Sequence, residues 1–220
     1  MNFKLGELFC GPGGIALGAI SSVVKNTEDE YSISHAWATD YDEDTCNTYR
    51  DNICPKDRSS VLCKDIRTLK IESLEKISGI DALAFGFPCN DFSVVGEQKG
   101  IDGVYGPLYR YAIDVLEYFK PSWFLAENVG GLRNSNEGKA FDTILRELSD
   151  AGYTPVPHLY KFEKYGIPQA RHRIIIIGIR NDLGTEFRVP APPETVWDNT
   201  CKTAITVPPI PADASNHEQT

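Results

Sequence analysis

Apolar positions along the chain follow two alternating periods. Short, nearly continuous apolar runs occupy Lys4–Phe9, Ser32–Asp40, Val61–Cys63, Ala82–Gly86, Trp123–Asn128 and Arg173–Arg180. Their length and β-branched and aromatic content predict strands, most of them buried on both faces. Amphipathic stretches at Ile15–Val24, Glu43–Arg50, Leu69–Ile77, Leu108–Phe119 and Gly138–Ala151 predict helices. Repeated strand–helix alternation implies an α/β fold, a mostly parallel sheet with helices on both faces. The segment Tyr153–Phe162 precedes a loop with Gly166 and Pro168, and is expected to pair antiparallel with Arg173–Arg180. After Arg188 the periodicity stops, and Pro190, Pro192, Pro193, Pro208, Pro209 and Pro211 crowd the remaining stretch. Residues 1–188 are therefore expected to form one domain, and 189–220 a proline-rich linker or arm.

Open α/β sheets bind ligands beyond the carboxyl ends of their strands, so the residues that follow each run are the candidates for chemistry. The first run breaks into Cys10-Gly11-Pro12-Gly13-Gly14, where glycines let backbone approach a ligand closely. The next glycine, Gly18, does not complete a dinucleotide fingerprint, and no Gly-Lys-Ser/Thr follows to make a P-loop. Alone, such a turn is as readily explained by packing. The second run ends in Asp40-Tyr41. An ionised carboxylate there can accept from two ribose hydroxyls, and an aromatic neighbour can stack on a base. The plainer reading makes Asp40 a helix N-cap. Asp65-Ile66 follows the third run, and Glu127-Asn128 closes the fifth. After the fourth run comes Gly86-Phe87-Pro88-Cys89-Asn90-Asp91-Phe92-Ser93. By habit a lone cysteine is a small core hydrophobe, but this one sits just past a strand end. Finally, Gln169-Ala170-Arg171-His172-Arg173 leads into the last run, and on its own reads as a solvated basic loop.

Composition narrows the class. The 220 residues suit one domain with a substantial core, and 41% hydrophobic with 24% charged residues is an ordinary globular balance. No apolar run approaches membrane-spanning length, and the N-terminus lacks the apolar core of a signal peptide, so a cytoplasmic location is expected. The six cysteines form no Cys-x-x-Cys pair, and Cys46, Cys54 and Cys63 match no zinc spacing. Reduced thiols and no metal site are expected. A net charge of -9 counts against nucleic-acid binding by the chain as a whole. Lys161, Lys164, Arg171, Arg173 and Arg180 nevertheless form a local basic stretch, and total charge says little about one face.

Taken in order, the glycine turn, the Pro88-Cys89 loop, the Glu127-Asn128-Val129 strand end and the Arg171-His172-Arg173 segment resemble the cytosine-5 DNA methyltransferases. The resemblance runs from Phe3 to about Asp182. It implies the Rossmann-like methyltransferase fold, with a twisted, mostly parallel sheet and a terminal antiparallel strand. It also implies the cofactor S-adenosylmethionine. Phe9, Gly11, Pro12, Gly13 and Gly14 would then pass beneath the methionine moiety, and Asp40 would take the ribose. Tyr41 and Ile66 would sandwich the adenine, Asp65 would accept from its amino group, and Pro88 and Leu108 would complete the pocket. For catalysis it implies Cys89 as the nucleophile at carbon 6 of cytosine and Glu127 as the acid near ring nitrogen 3. Arg173 would contact the cytosine carbonyl, supported by Arg171; nothing is assigned to His172. The glycine-rich stretch from Asn90 to Pro107 resembles the loop that closes over a flipped base, with Asn90 where the family usually has glutamine.

The activity so implied is methyl transfer to carbon 5 of a flipped-out cytosine in double-stranded DNA, in a prokaryote near the nucleoid and beside a cognate restriction endonuclease. The family continues with a target-recognition domain, a Gly-Asn segment and a final helix that are not read in this chain. A complementing polypeptide or domain is therefore expected. Two other readings are weighed. A tRNA cytosine methyltransferase ranks lower because Pro88-Cys89-Asn90-Asp91-Phe92-Ser93 is like the DNA enzymes. A non-catalytic subunit ranks lower because Cys89, Glu127, Arg171 and Arg173 are all in place.

Overall fold

In the computed structural model the residues described are 1–25, 29–87, 108–167 and 169–192, the side chains of 134–137 excepted. The elements are β1 (Asn2–Leu8), α1 (Gly14–Ile20), β2 (Val23–Lys25), β3 (Glu30–Asp40), α2 (Glu43–Asn52), β4 (Val61–Cys63) and α3 (Ile71–Glu75), continuing with β5 (Ala82–Gly86), α4 (Tyr109–Phe119), β6 (Trp123–Val129), α5 (Lys139–Asp150), β7 (Tyr153–Lys161) and β8 (His172–Arg180). They form one sheet in the order β2-β3-β1-β5-β6-β8-β7, with β4 also paired to β3. β4, β3, β1, β5 and β6 run parallel, and β2 and β8 antiparallel to their partners. As the sequence leads one to expect, β7 is the neighbour of β8. One compact unit comprises Met1–Leu159 and Arg173–Val189; Tyr160–His172 and the chain from Pro190 onward make a second. In the second, Tyr160 stacks on Phe162 and the Tyr165 hydroxyl donates to the Pro190 carbonyl at 3.1 Å. Among the described residues no helix is long and apolar enough to cross a membrane.

One predicted helix is wrong. The expected Ile15–Val24 helix stops at Ile20, and Val23–Lys25 become an edge strand. Ser21 and Ser22 end the helix: the Ser22 hydroxyl donates back to the Gly18 carbonyl at 2.8 Å, a local bond that competes with helical continuation. Val23 and Val24 are β-branched and favour the extended pairing with Ser32 and Tyr31.

Alternation along the strands sorts side chains onto two faces. Leu8, Leu83, Phe85, Phe124, Ala126, Ile174 and Ile176 pack with α3, α4 and α5. Leu5, Ala82 and Ala84 pack against Ile15 and Ala19 of α1, and Ala38 packs with Cys46 and Tyr49 of α2. Two glycines make room for fully buried core rings, Trp37 and Phe124. A Cβ on Gly6 would stand 2.5 Å from the Trp37 ring, and one on Gly178 would overlap Phe124.

A polar chain runs through the α2 face. Glu7 is 1% exposed and accepts from the Tyr49 hydroxyl at 3.1 Å. His35 bridges Tyr49 and Ser60, at 3.2 and 2.7 Å. Burial pushes the Glu7 carboxyl up to about 8, so near neutral pH it keeps its proton. The chain fastens α2 to β1 and β3 directly behind the glycine turn.

Two tests follow from this packing. Gly6→Ala should lower the unfolding free energy by about 1–3 kcal/mol through overpacking. Gly18→Ala, at an open helical position, should raise it by up to about 1 kcal/mol. Urea denaturation of the two variants measures both signs. Glu7 sets a pH dependence. Between its ordinary value of 4.5 and about 8 the unfolded chain has lost the proton that the folded chain keeps. Stability should therefore fall as pH rises through this window, by at most about 1.4 kcal/mol per unit. Glu7→Gln should flatten that slope in urea titrations at pH 5 to 8.

Candidate active site

The parallel strands deliver their carboxyl ends to one edge of the sheet. A cleft of about 320 Å³ opens there. Its walls are Phe9 after β1, Thr39, Asp40 and Tyr41 at the end of β3, Lys64, Asp65, Ile66 and Arg67 after β4, Gly86 at the end of β5, and Leu108 before α4. Phe9, Asp40, Tyr41, Asp65, Ile66 and Leu108 were expected from the sequence. Thr39, Lys64, Arg67 and Gly86 were not, although each adjoins an expected residue.

The turn after β1 is bent hard. Phe9, Gly11 and Gly13 have φ of 53°, 53° and 97°. The glycines adopt these angles freely, whereas Phe9 does so at a cost of about 1–2 kcal/mol. The turn is held from β3: Cys10 N–H donates to the Thr39 carbonyl at 3.0 Å, and Gly11 N–H to Asp40 Oδ2 at 3.0 Å. Asp40 Oδ1 accepts from Asp42 N–H at 3.1 Å. The cap of α2 is Asp42, which accepts from Thr45 N–H at 2.8 Å, so the helix-cap reading of Asp40 fails. Asp40 instead joins two backbone segments while lining the cleft. Gly11, Pro12, Gly13 and Gly14 form the turn rather than the cleft wall. A Cβ on Gly13 would lie 2.9 Å from Ile53.

Across the cleft Asp65 is gripped by Arg67, whose Nε lies 2.9 and 3.0 Å from its two oxygens and whose N–H caps Oδ1 at 2.9 Å. These bonds hold the Asp65 carboxyl down at about 2. A carboxylate has about four lone-pair sites, so acceptor capacity remains. Ile66 is buried at its base, while Tyr41 is 78% exposed at the mouth. The Cys63 thiol donates to the Tyr41 carbonyl at 3.6 Å. Apolar walls from Phe9, Ile66 and Leu108, an aromatic rim and the side chains of Asp40 and Asp65 suit a nucleoside: flat surfaces for the base, acceptors for hydroxyl and amino groups.

Beside the cleft lies a charged pair. Glu127, near the end of β6, meets Arg173 of β8 through Oε1 and Nε at 2.8 Å. The two side chains are 28% and 22% exposed. Gly86 is the cross-strand partner of Glu127, and a Cβ there would stand 3.4 Å from Glu127 Oε2. Gly86 thus borders both the cleft and the carboxylate. Asn128, which follows, is 3% exposed. Arg171 is exposed in the second unit, where its carbonyl accepts from Phe162 N–H at 3.1 Å. His172 of the same unit pairs with Glu163 at 2.8 Å. Pro88, Cys89 and the stretch to Pro107 lie outside the described residues, as does 193–220.

Comparison with known proteins accords with this arrangement. The family model described as C-5 cytosine-specific DNA methylase matches residues 3–219. The Type II methyltransferase M.BbvI of Brevibacillus brevis is 54% identical over 100% of the chain and 60% of its own length. M.NgoFVII of Neisseria gonorrhoeae, also a Type II methyltransferase, is 33% identical over 98% of the chain and 55% of its own length. The chain therefore spans a little over half of these relatives. Among solved structures, the methyltransferase EhMeth of Entamoeba histolytica shares the fold with a TM-score of 0.64, at 20% identity, over 86% of the chain and 55% of that protein. The chain belongs to the C-5 cytosine-specific DNA methylase family.

Proposed function

We propose that this chain is the catalytic portion of an enzyme that transfers a methyl group from S-adenosylmethionine to carbon 5 of a flipped-out cytosine in double-stranded DNA. The observation that carries the reading is the position of Gly86, between a nucleoside-sized cleft and the Glu127–Arg173 pair, three residues before Cys89. A methyl donor seated in the cleft and a base seated against Glu127 would meet beside the nucleophile.

In this reading Asp40 receives the ribose hydroxyls, Asp65 the adenine amino group, and Tyr41 and Ile66 cover the adenine faces. Phe9 and the Gly11-Pro12-Gly13-Gly14 turn run beneath the methionine moiety, with Pro88 and Leu108 closing the pocket. When bound, the cofactor would supply an electrophilic methyl on a sulfonium, the sulfur keeping the bonding pair and leaving as a neutral thioether. The Cys89 thiolate adds to carbon 6 of the base, which makes carbon 5 nucleophilic. Glu127 hands a proton to ring nitrogen 3 and so offsets the charge the addition creates. Arg173 holds the acid in place and reaches the cytosine carbonyl, with Arg171 in support. Once carbon 5 carries the methyl, it loses its proton to a base from solvent. The carbon–sulfur bond then breaks with its electron pair restoring the thiolate, and the proton on ring nitrogen 3 returns to Glu127.

Target recognition is assigned to a complementing polypeptide or further domain, because Lys161, Lys164, Arg171, Arg173 and Arg180 make one modest basic stretch, whereas holding a duplex around an extruded base takes several phosphate contacts. The working place is the prokaryotic cytoplasm at the nucleoid, and a cognate restriction endonuclease is the natural counterpart of such an enzyme.

With the recognition region supplied, a duplex carrying 5-fluorocytosine should be trapped covalently in the presence of cofactor, since fluorine at carbon 5 blocks release. Cys89→Ala should abolish trapping and leave cofactor affinity within about twofold; gel analysis of the adduct decides, and surviving trapping would falsify the assignment. Asp40→Ala should weaken S-adenosylmethionine binding by roughly 1–3 kcal/mol, as expected for a lost charged hydrogen bond. Calorimetry on folded variant is the measurement, and unchanged affinity would remove Asp40 from the site.

A further inference from the structure

The backbone ladder between β5 and β6 ends at the pair Gly86 and Glu127. One residue further on, the two strands are still joined, but by a side chain. Asn128 Nδ2 donates to the Phe87 carbonyl at 3.2 Å, and Asn128 Oδ1 accepts from Val129 N–H at 2.8 Å. The two bonds fix which way the amide faces. A flipped amide would set oxygen against oxygen at Phe87 and N–H against N–H at Val129. Asn128 is 3% exposed and Phe87 3%, so neither bond is readily replaced by water. Phe87 also precedes a proline, which lacks an N–H and restricts the residue before it. The chain thus leaves β5 with one carbonyl clamped and Cys89 two residues ahead. Asn128 itself is the immediate neighbour of Glu127, and Glu127 and Asn128 are in turn held by β8 through Ile175 and Ile174.

We propose that Asn128 is a positioning residue: its carboxamide extends the β5–β6 ladder by one bond, fixing where the chain departs toward Cys89 relative to the Glu127 carboxyl, so that thiol and acid meet the same ring. This rests on the reading of Cys89 and Glu127 given above. Asn128 touches neither base nor cofactor; it sets a distance. Displacements of about 1 Å in such constellations cost up to roughly a hundredfold in rate.

The test is Asn128→Asp in the enzyme supplied with its recognition region. This near-isosteric change keeps the acceptor for Val129 N–H but turns the donor facing Phe87 into an acceptor. At pH 8 the rate of covalent trapping on 5-fluorocytosine DNA should fall by roughly 10- to 100-fold. Cofactor and DNA affinities should stay within about threefold, so the loss lies in kcat and not KM. Below its raised pKa the introduced carboxyl carries an O–H that can donate to the Phe87 carbonyl. The ratio of variant to wild-type trapping rate should therefore climb as pH falls toward 5. A purely structural lesion would not recover in this way. Asn128→Ala, which buries no charge, decides the matter if the first variant does not fold: it should show the same loss without recovery at low pH. Trapping within twofold of wild type in a folded variant overturns the inference. If trapping vanishes in Cys89→Ala yet persists in the Asn128 variants, only this inference falls. If it persists in Cys89→Ala as well, the functional reading falls with it.

Discussion

The parallel registry of β4, β3, β1, β5 and β6 is the constraint on which the rest depends. Parallel strands need crossovers, and each crossover returns the chain to start at the same edge, so that every strand ends at the opposite one. Phe9, Asp40, Asp65, Gly86 and Glu127 are far apart in sequence and share nothing but this position. A slip of one residue would turn every side chain of a strand to the other face. Two rigid fits resist such slips: the notch at Gly6 that takes Trp37, and the notch at Gly178 that takes Phe124. Both lie within strands, well away from the cleft, yet they help set which residue stands last at its rim.

Registry places backbone, and side chains then tie neighbouring strand ends together. Asp40 carries the turn after β1 on one oxygen and the start of α2 on the other. Both donors are backbone N–H groups, of Gly11 and Asp42. Asp65 is different, since Arg67 neutralises it and lowers its proton affinity. Glu7 is different again. It sits one strand layer inside and stays protonated because burial outweighs the bond from Tyr49. Asp65 and Glu7 thus stand at opposite ends of the carboxyl range, and the difference follows from who donates to each and how much water each sees.

Much of this was legible in the sequence. Val61–Cys63 and Ala82–Gly86 have the same limits in sequence and structure, and the remaining predicted strands agree to within two residues. Of the strand ends singled out in the sequence, Phe9, Asp40, Tyr41, Asp65 and Ile66 do line the cleft, while Pro88 and Cys89 lie outside the described residues. What failed did so for physical reasons. The apolar pattern of α1 continues through Val23 and Val24, so periodicity could not separate a helix from the edge strand that tertiary pairing selects. Glu7 could have been flagged, because it shares the inward parity of Leu5, but its proton depends on Tyr49 and His35 arriving from α2 and β3. Arg67 was passed over because an arginine two residues after an aspartate is ordinarily solvated. Asn128 stood out only as part of the Glu127-Asn128-Val129 strand end, with no role: its bond to Phe87 joins residues 41 apart and exists only because two strands end together.

The same geometry explains why strain gathers at one place. Phe9 is held in the left-handed region that a glycine would occupy without cost. It is there because its ring forms part of the cleft wall, which a glycine could not supply. The bonds that hold it come from Thr39 and Asp40, residues that themselves line the cleft. Wall, strain and restraint are therefore one unit: a ligand that draws on Asp40 also acts on the turn that Asp40 secures. Gly86 shows the opposite solution at the next strand. There no side chain is present, and a Cβ would come into contact distance of Glu127 Oε2, at 3.4 Å. One strand end pays in backbone strain to present a ring, its neighbour carries no side chain at all, and the two residues line the same cleft.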